Sequence, residues 1–285
     1  MRIVLGTAQF GMGYGFQKLR KIRRKEINKI EKLVLNSNIK HVDTAISYGN
    51  SENIIGSTKL NKLQIVTKIK LPSKKKKADL HQYIIKKISI SLKKLKVKKI
   101  YGILIHDTQD LLGKRGKILL SSLLKLKKKK IVKYIGVSIY KPSELQNIWK
   151  FWKPDLVQAP FNLLDQRLLY SGWLNKLKKN NTKVFVRSCF LQGILLGDKY
   201  PKKKSKEFKK ILKKFNFWCK ANNISRQKAC IDFIRQYKKI DFIIIGFNNH
   251  LQIKEILNVF KKKRNKVPKI FMSKNLNLID PRRWN

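Results

Sequence analysis

Residues 100–139 read IYGILIHDTQDLLGKRGKILLSSLLKLKKKKIVKYIGVSI. The first seven, Ile100 to His106, form a short apolar run, the mark of a strand buried on both faces. Lys117 to Lys130 is longer and amphipathic, as a surface helix is. Tyr134 to Ile139 is apolar again and reads as a second buried strand. Two buried strands joined through a helix run parallel, because the crossover carries the chain back to the same end of the sheet.

The same unit repeats in both directions. Upstream, strands are predicted at Ile3 to Ala8, His41 to Ala45 and Gln64 to Lys68. Helices follow them at Lys25 to Asn38, from Ser51 onward, and at Asp79 to Lys96. Downstream, strands are predicted at Leu156 to Phe161, Lys183 to Phe190 and Phe242 to Ile245. A helix starts after Pro142 with Ser143 placed to cap it, another covers Trp173 to Lys179, and a last one covers Leu251 to Lys262. Between Ser205 and Tyr237 runs a long helical stretch broken near Asn222 and Asn223.

Eight strand–helix units in strict alternation define an α/β fold. Eight strands also close into a barrel whose interior side chains can fill, so a single-domain (β/α)8 TIM barrel over residues 1–285 is expected, with a surface tail from about 268. The competing architecture, a doubly wound sheet, announces itself by a glycine-rich phosphate loop that opens a helix. The glycines of Gly11-Met12-Gly13-Tyr14-Gly15 lack the G-x-G-x-x-G spacing and open no helix, so they read as a loop at the barrel mouth.

Bulk composition narrows the class further. Hydrophobic residues make up 42% of the 285, enough for a large core. No apolar run approaches the ~18 residues of a membrane helix, and the first residues do not read as a signal peptide. A cytoplasmic protein is expected. Cys189, Cys219 and Cys230 are odd in number and widely spaced, so they read as reduced packing residues, with no disulfide framework and no metal ligands. The net charge of +52 arises from 68 Lys and Arg against 16 Asp and Glu. Lysines are spread along the chain, with runs at Lys74 to Lys77, Lys127 to Lys130 and Lys202 to Lys204. No nucleic-acid-binding module accompanies them. They read as solvated helix faces in a composition biased toward Lys, Ile and Asn, with nonspecific, salt-sensitive contact to polyanions as the consequence.

Chemistry-bearing residues collect where the strands end. The second strand carries Asp43, the third ends at Lys68 and the fourth at His106. In a barrel these strands are neighbours, about 4.8 Å apart, and their C-terminal ends form the catalytic face. Each residue alone has an ordinary explanation as a loop cap, a snorkelling lysine or a core histidine. Three at one end suggest a site, and a buried charge at a strand end needs a partner, which Asp43 and Lys68 offer each other.

The loop after the second strand reads Asp43-Thr44-Ala45-Ile46-Ser47-Tyr48-Gly49-Asn50-Ser51-Glu52. It resembles the aldo-keto reductase superfamily, whose signature D-T-A-x-x-Y-G-x-S-E it matches at every fixed position. Thr67-Lys68, Ile105-His106, Gly136-Val137-Ser138, Gln158 to Asn162 and Ile245-Gly246 extend the resemblance over nearly the whole chain. The resemblance implies NAD(P)H-dependent reduction of an aldehyde or ketone. In it Tyr48 is the general acid, Lys68 lowers the phenol's pKa, Asp43 orients Lys68, and His106 directs the carbonyl.

The resemblance also implies where the cofactor lies. Gly6 and Thr7 belong to the mouth, and Ser138, Gln158 and Asn162 hold the carboxamide. Arg187, Ser188, Phe190 and Gly193 meet the nicotinamide and pyrophosphate. Gly246, Asn248, Gln252 and Glu255 meet the adenosine end. Ile139 stands where many members have Asn, and Arg187 where many have an aromatic residue that stacks on the nicotinamide. The segment Phe247-Asn248-Asn249 lacks the Arg or Lys that grips a 2′-phosphate, yet NADPH is expected ahead of NADH. The segment Arg187 to Gly193 resembles that of small bacterial members, some of which act in sugar or surface-polysaccharide pathways, and the analogy suggests a sugar-derived carbonyl.

Two other readings remain, a noncatalytic nucleotide-sensing module on the same barrel and a polyanion binder. The aromatics Phe151, Trp152, Trp173, Phe215, Phe217 and Trp218 are expected to pack helices onto the barrel, and Trp284 to reach the mouth. His41, His81 and His250 receive no role.

Overall fold

The computed structural model describes residues 1–13, 15, 21–72, 79–201 and 205–284. Tyr14, Asn285 and the lysine runs at Lys74 to Lys77 and Lys202 to Lys204 lie outside the described residues. The strands are β1 (Arg2–Gly6), β2 (His41–Asp43), β3 (Gln64–Ile69), β4 (Ile100–Ile105), β5 (Val132–Ser138), β6 (Leu156–Pro160), β7 (Lys183–Arg187) and β8 (Phe242–Gly246). Each pairs in parallel with its neighbours in sequence, and β8 pairs with β1, which closes the barrel. The (β/α)8 expectation is therefore met, in one domain.

The helices are α1 (Ala8–Gly11), α2 (Arg24–Leu35), α3 (Ser51–Gly56), α4 (Leu80–Leu95), α5 (Gly113–Lys128), α6 (Ser143–Trp149), α7 (Arg167–Tyr170), α8 (Trp173–Lys179), α9 (Ser205–Ala221), α10 (Arg226–Arg235), α11 (His250–Lys261) and α12 (Leu276–Ile279). Their apolar stripes follow the sequence pattern. In α4, Leu80, Ile84, Ile88 and Leu95 are buried against the barrel while the lysines between them face water. The inward faces of the strands form a second, smaller core. Val4, Val66, Leu104, Leu156, Phe185, Phe242 and Ile244 fill the barrel, and Phe185 stacks on Phe242 with ring centroids 4.2 Å apart. The interior is a packed core with no pore through it.

Several boundaries move from their expected places, each for a local reason. β1 stops at Gly6, because Thr7 turns its N–H and hydroxyl onto the carbonyl of Asp43. β7 stops at Arg187, because Ser188 adopts φ +62° and leaves the strand. The long helical stretch breaks where expected: Asn223 takes φ +48°, and the Ser225 side chain caps α10 by accepting the Lys228 N–H. Ser143 does not cap α6. It is the first helical residue, and Glu144 instead accepts the N–H groups of Tyr140 and Lys141. A carboxylate does this better, since its charge also suits the helix N-terminus.

Two aromatic expectations fail. Phe151 and Phe217 are 54% and 75% exposed, while Phe215 and Trp173 are buried as expected. Trp284 does not reach the cavity at the mouth. Its indole Nε1 donates to the Asn277 carbonyl and its ring meets Phe208 edge-on. The unassigned histidines tie elements together. His81 hydrogen-bonds Ser122 between α4 and α5, and His250 contacts Glu26 between α11 and α2.

Close strand approach depends on Gly136. A Cβ there would lie 2.1 Å from the Leu156 carbonyl oxygen, a backbone atom that cannot rotate away. Gly136→Ala is expected to destabilise the fold by about 1–3 kcal/mol. Gly197→Ala, with nothing within 4 Å of the new methyl, should change stability by no more than about 0.5 kcal/mol. Urea midpoints of the two variants against the parent check both.

Candidate active site

The loop from Asp43 to Glu52 is fastened at both ends. Ser51 Oγ lies 3.0 Å from the Thr7 carbonyl, 2.8 Å from Thr7 Oγ1 and 3.0 Å from Thr44 Oγ1. The buried Glu52 carboxylate accepts from Thr67 Oγ1 at 2.8 Å and Ser91 Oγ at 2.6 Å, which joins the loop to β3 and α4. Between these anchors the chain must turn tightly, and Gly49 does so at φ +54°. There the backbone touches the loop after β1. A Cβ at Gly11 would sit 1.7 Å from the Tyr48 carbonyl oxygen, and one at Gly49 would sit 2.5 Å from the Gly11 carbonyl oxygen. Two glycines in contact therefore set the height of Tyr48.

The three expected strand-end residues converge. Lys68 Nζ, only 1% exposed, donates to Asp43 Oδ2 at 2.7 Å and to the Thr44 carbonyl at 2.9 Å. Its third neighbour is Tyr48 Oη at 3.4 Å. The other Asp43 oxygen accepts from Gln158 Nε2 at 2.7 Å, across the barrel from β6. His106 completes the group, with its ring 6.0 Å from that of Tyr48 and its Nδ1 3.3 Å from Ser47 Oγ.

The expectation that Lys68 brings the Tyr48 phenol toward neutral pH is not met. Burial first, and the Asp43 carboxylate second, raise its pKa above the ordinary tyrosine value, while Arg187 opposes them. The physical reason is that the Lys68 charge is already balanced by Asp43 at 2.7 Å. Tyr48 therefore holds its proton at every working pH. His106 is pushed down to about 4, by burial foremost and then by Lys68 and Arg187, so its imidazole is neutral at pH 7.

A cavity of about 960 Å³ opens beside this group at the C-terminal end of the strands. Asp43 and Tyr48 lie in its wall, as do Gly6, Thr7, Gln158, Arg187, Ser188, Phe190 and Gly193. Gly246, Asn248, Gln252 and Glu255 line its far side. Four expected site residues stand outside that wall: Lys68, His106, Ser138 and Asn162. Asn162 is fully buried and shapes the loops, donating to the Ser188 carbonyl and accepting from the N–H groups of Leu164 and Asp165.

Sequence reasoning missed Gln9, Lys199, Ser225, Arg226 and Gln227, which also line the cavity. The capped start of α10 just after the Asn222-Asn223 break was the available signal for the last three. It also missed Tyr140, whose ring lies under two guanidiniums, Arg187 at 4.6 Å and Arg282 of the tail at 3.9 Å. The tail thus reaches the mouth region through Arg282 and not through Trp284.

A buried carboxylate–ammonium–phenol cluster beside a large cavity, on the catalytic face of a (β/α)8 barrel, defines an enzyme-type site. The profile of the aldo/keto reductase family matches residues 2–270, and the chain belongs to that family. Membership implies NAD(P)H-dependent carbonyl reduction. Among solved structures, an aldo-keto reductase from Bacillus halodurans in its holo form shares 16% identity over 93% of this chain and 88% of its own, with a TM-score of 0.72. A glycerol dehydrogenase from Gluconobacter oxydans shares 20% identity with the same coverage, 93% and 88%, and a TM-score of 0.71. At these identities the likeness is one of fold. No curated protein sequence matches the chain. Among the described residues no cluster suited to a metal ion occurs, and no helix is long and apolar enough to cross a membrane.

His106 shares its low pKa with His41, which lies on the barrel floor between Tyr101 and Phe242 and is also pushed down to about 4, chiefly by burial. Both are neutral in the folded protein below the ordinary value of 6.5, where the unfolded chain takes up protons. Stability is therefore lost as pH falls from 6.5 toward 4, by up to about 1.4 kcal/mol per pH unit for each histidine. Between pH 6.5 and 5, the urea midpoint is expected to fall. His41→Phe, which suits its aromatic surroundings, should remove roughly half the slope.

Proposed function

We propose that this single domain, residues 1–285, is an NADPH-dependent aldo/keto reductase of the cytoplasm, reducing an aldehyde or ketone, with a sugar-derived carbonyl as the candidate substrate. The observation that carries the reading is the Tyr48 hydroxyl 3.4 Å from the Lys68 ammonium, which Asp43 holds at 2.7 Å, in the wall of a cavity of dinucleotide-binding size.

The residues of the cavity fit a nicotinamide dinucleotide. Asn248 Oδ1 is buried and has no partner among the described residues, so it lacks the hydrogen-bond donor that an adenine amine or ribose hydroxyl would supply. Gln158 gives its amide nitrogen to Asp43 and, among the described residues, its oxygen accepts no hydrogen bond, which suits it to the carboxamide. Ser188 at φ +62° and Gly193 at φ +95° give a turned backbone that a pyrophosphate can approach, beside Phe190. Gly6, Thr7 and Gly246 offer a wall with little side chain, and Gln252 and Glu255 meet the adenosine end. Ser138 and Asn162 act from behind, by holding the strand ends and the Ser188 turn. Lys199 and Arg226 in the cavity wall are the cations that support NADPH over NADH, in place of the Arg or Lys that Asn248 does not provide.

When bound, the nicotinamide supplies a hydride to the carbonyl carbon. The chain supplies the proton and the geometry. Tyr48 keeps its proton until charge builds on the carbonyl oxygen, then gives it up as general acid. Lys68 stabilises the phenolate left behind, and Asp43 keeps Lys68 charged and aimed. Neutral His106, with Nδ1 accepting from Ser47, presents Nε2–H to the carbonyl oxygen. The net charge of +52 adds weak, salt-dependent adhesion to polyanions as a side effect.

Tyr48→Phe is expected to lower turnover by roughly 10²–10⁴-fold while leaving NADPH binding, followed by fluorescence quenching, close to that of the parent. A variant that reduces carbonyls at the parental rate would remove Tyr48 from the general-acid role, and a parent that binds NADPH but reduces no carbonyl would return the chain to the reading as a nucleotide-sensing module. NADH binding tighter than NADPH would overturn the cofactor preference alone.

A further inference from the structure

Arg187 ends β7 in the wall of the same cavity as Tyr48, half-buried, and its charges are unlike those of its neighbours. Apart from the exposed Lys199, the other cations named around the mouth are each matched by a carboxylate: Lys68 by Asp43, Lys70 by Asp107, Arg167 by Asp165, Arg226 by Asp198 and Arg282 by Asp280. Arg187 is not. Its hydrogen bonds go to two neutral oxygens, the Ile139 carbonyl at 3.1 Å and Ser188 Oγ at 3.3 Å. Among the described residues no carboxylate stands within ion-pair distance of it.

A half-buried guanidinium with neutral partners is short of an anion. It carries five N–H donors in a planar fork, and those two bonds leave three unused. The fork is also held still. Its Cζ lies 4.6 Å from the centroid of the Tyr140 ring, and that of Arg282 lies 3.9 Å from the same centroid. Its field reaches the reacting groups, since it acts on both Tyr48 and His106. A rigid, unneutralised fork facing the space where a carbonyl would be protonated suits the anionic group of the substrate itself.

We infer that Arg187 selects a carbonyl substrate bearing a carboxylate or a phosphate close to the carbonyl, gripping that anion while Tyr48 and His106 take the oxygen. This rests on the reductase reading and names its substrate class. It replaces the stacking role that the family resemblance implies for this position, where many members carry an aromatic residue.

The global charge complicates the test, because a +52 protein attracts any anion. Losing one charge of that excess barely alters the global field, so a large effect of Arg187→Met on anion selectivity must be local. Matched pairs separate the two anion sources at one physiological salt concentration and saturating NADPH. Phenylglyoxylate against its methyl ester tests carboxylate, and glyceraldehyde 3-phosphate against glyceraldehyde tests phosphate. The parent is expected to favour the anionic member of at least one pair by about tenfold or more in kcat/KM. Arg187→Met should erase most of that preference, chiefly through KM of the anionic member, and Arg187→Lys should restore part of it.

Turnover of both members without anion preference in the parent would overturn the inference even if the variant failed to fold. So would an unchanged preference in Arg187→Met, or a loss confined to NADPH affinity. Absence of turnover with all four compounds would overturn the reductase reading and this inference with it.

Discussion

An ammonium enclosed to within 1% of full burial stays charged only if an anion is buried with it, and Lys68 and Asp43 satisfy that condition at 2.7 Å. Removing either partner would leave a bare charge in the barrel, a far larger cost than the pair itself. The rest of the mouth is arranged around this requirement. Gln158 reaches across from β6 to satisfy the second Asp43 oxygen, and the Thr44 carbonyl takes a second Lys68 proton. The phenol of Tyr48 meets an ammonium whose charge is already balanced, which explains why burial wins and the proton stays on. The ion pair thus works by holding the phenol in place and by waiting to stabilise its conjugate base. It does not make the tyrosine a stronger acid in the resting protein.

Much of the barrel could be seen in the sequence because parallel strands buried on both faces have a plain signature. Ile100 to His106 and Tyr134 to Ile139 could hardly be anything else. The Asp43, Lys68 and His106 convergence followed from register alone once eight strands were counted. What escaped were features decided by backbone torsion and by tertiary competition. No periodicity announces that Ser188 will turn to φ +62° and end β7, or that Glu144 will outcompete Ser143 for the N–H groups before α6. The exposure of Phe151 and Phe217 was equally hidden, because a helical stripe does not say how far a neighbouring helix extends. For Arg226 and Gln227 the sequence offered only the Ser225 cap after the Asn222-Asn223 break, because their place in the cavity wall depends on where the whole barrel sets the start of α10.

The two ends of the barrel divide the work. The floor is sealed by aromatic rings, with His41 between Tyr101 and Phe242 and Tyr134 against Tyr101, and the core above is tightly filled. The mouth carries the Asp43–Lys68–Tyr48 cluster and opens to a cavity of about 960 Å³. Stability therefore resides in residues that a ligand never meets, so the mouth is free to carry groups, such as Arg187 and Asn248, whose hydrogen-bonding or charge requirements the fold itself leaves unmet.

The contact between Gly11 and Gly49 has a further meaning. Most catalytic side chains are located by other side chains, which can rotate a little when a neighbour changes. Tyr48 is located by main chain resting on main chain, with no rotamer between the two loops to absorb an error. The position of the acidic proton is thus fixed to the same tolerance as the covalent backbone of two separate βα loops. A reductase built this way can change its substrate by altering the cavity wall, but it cannot move its proton donor without rebuilding both loops at once.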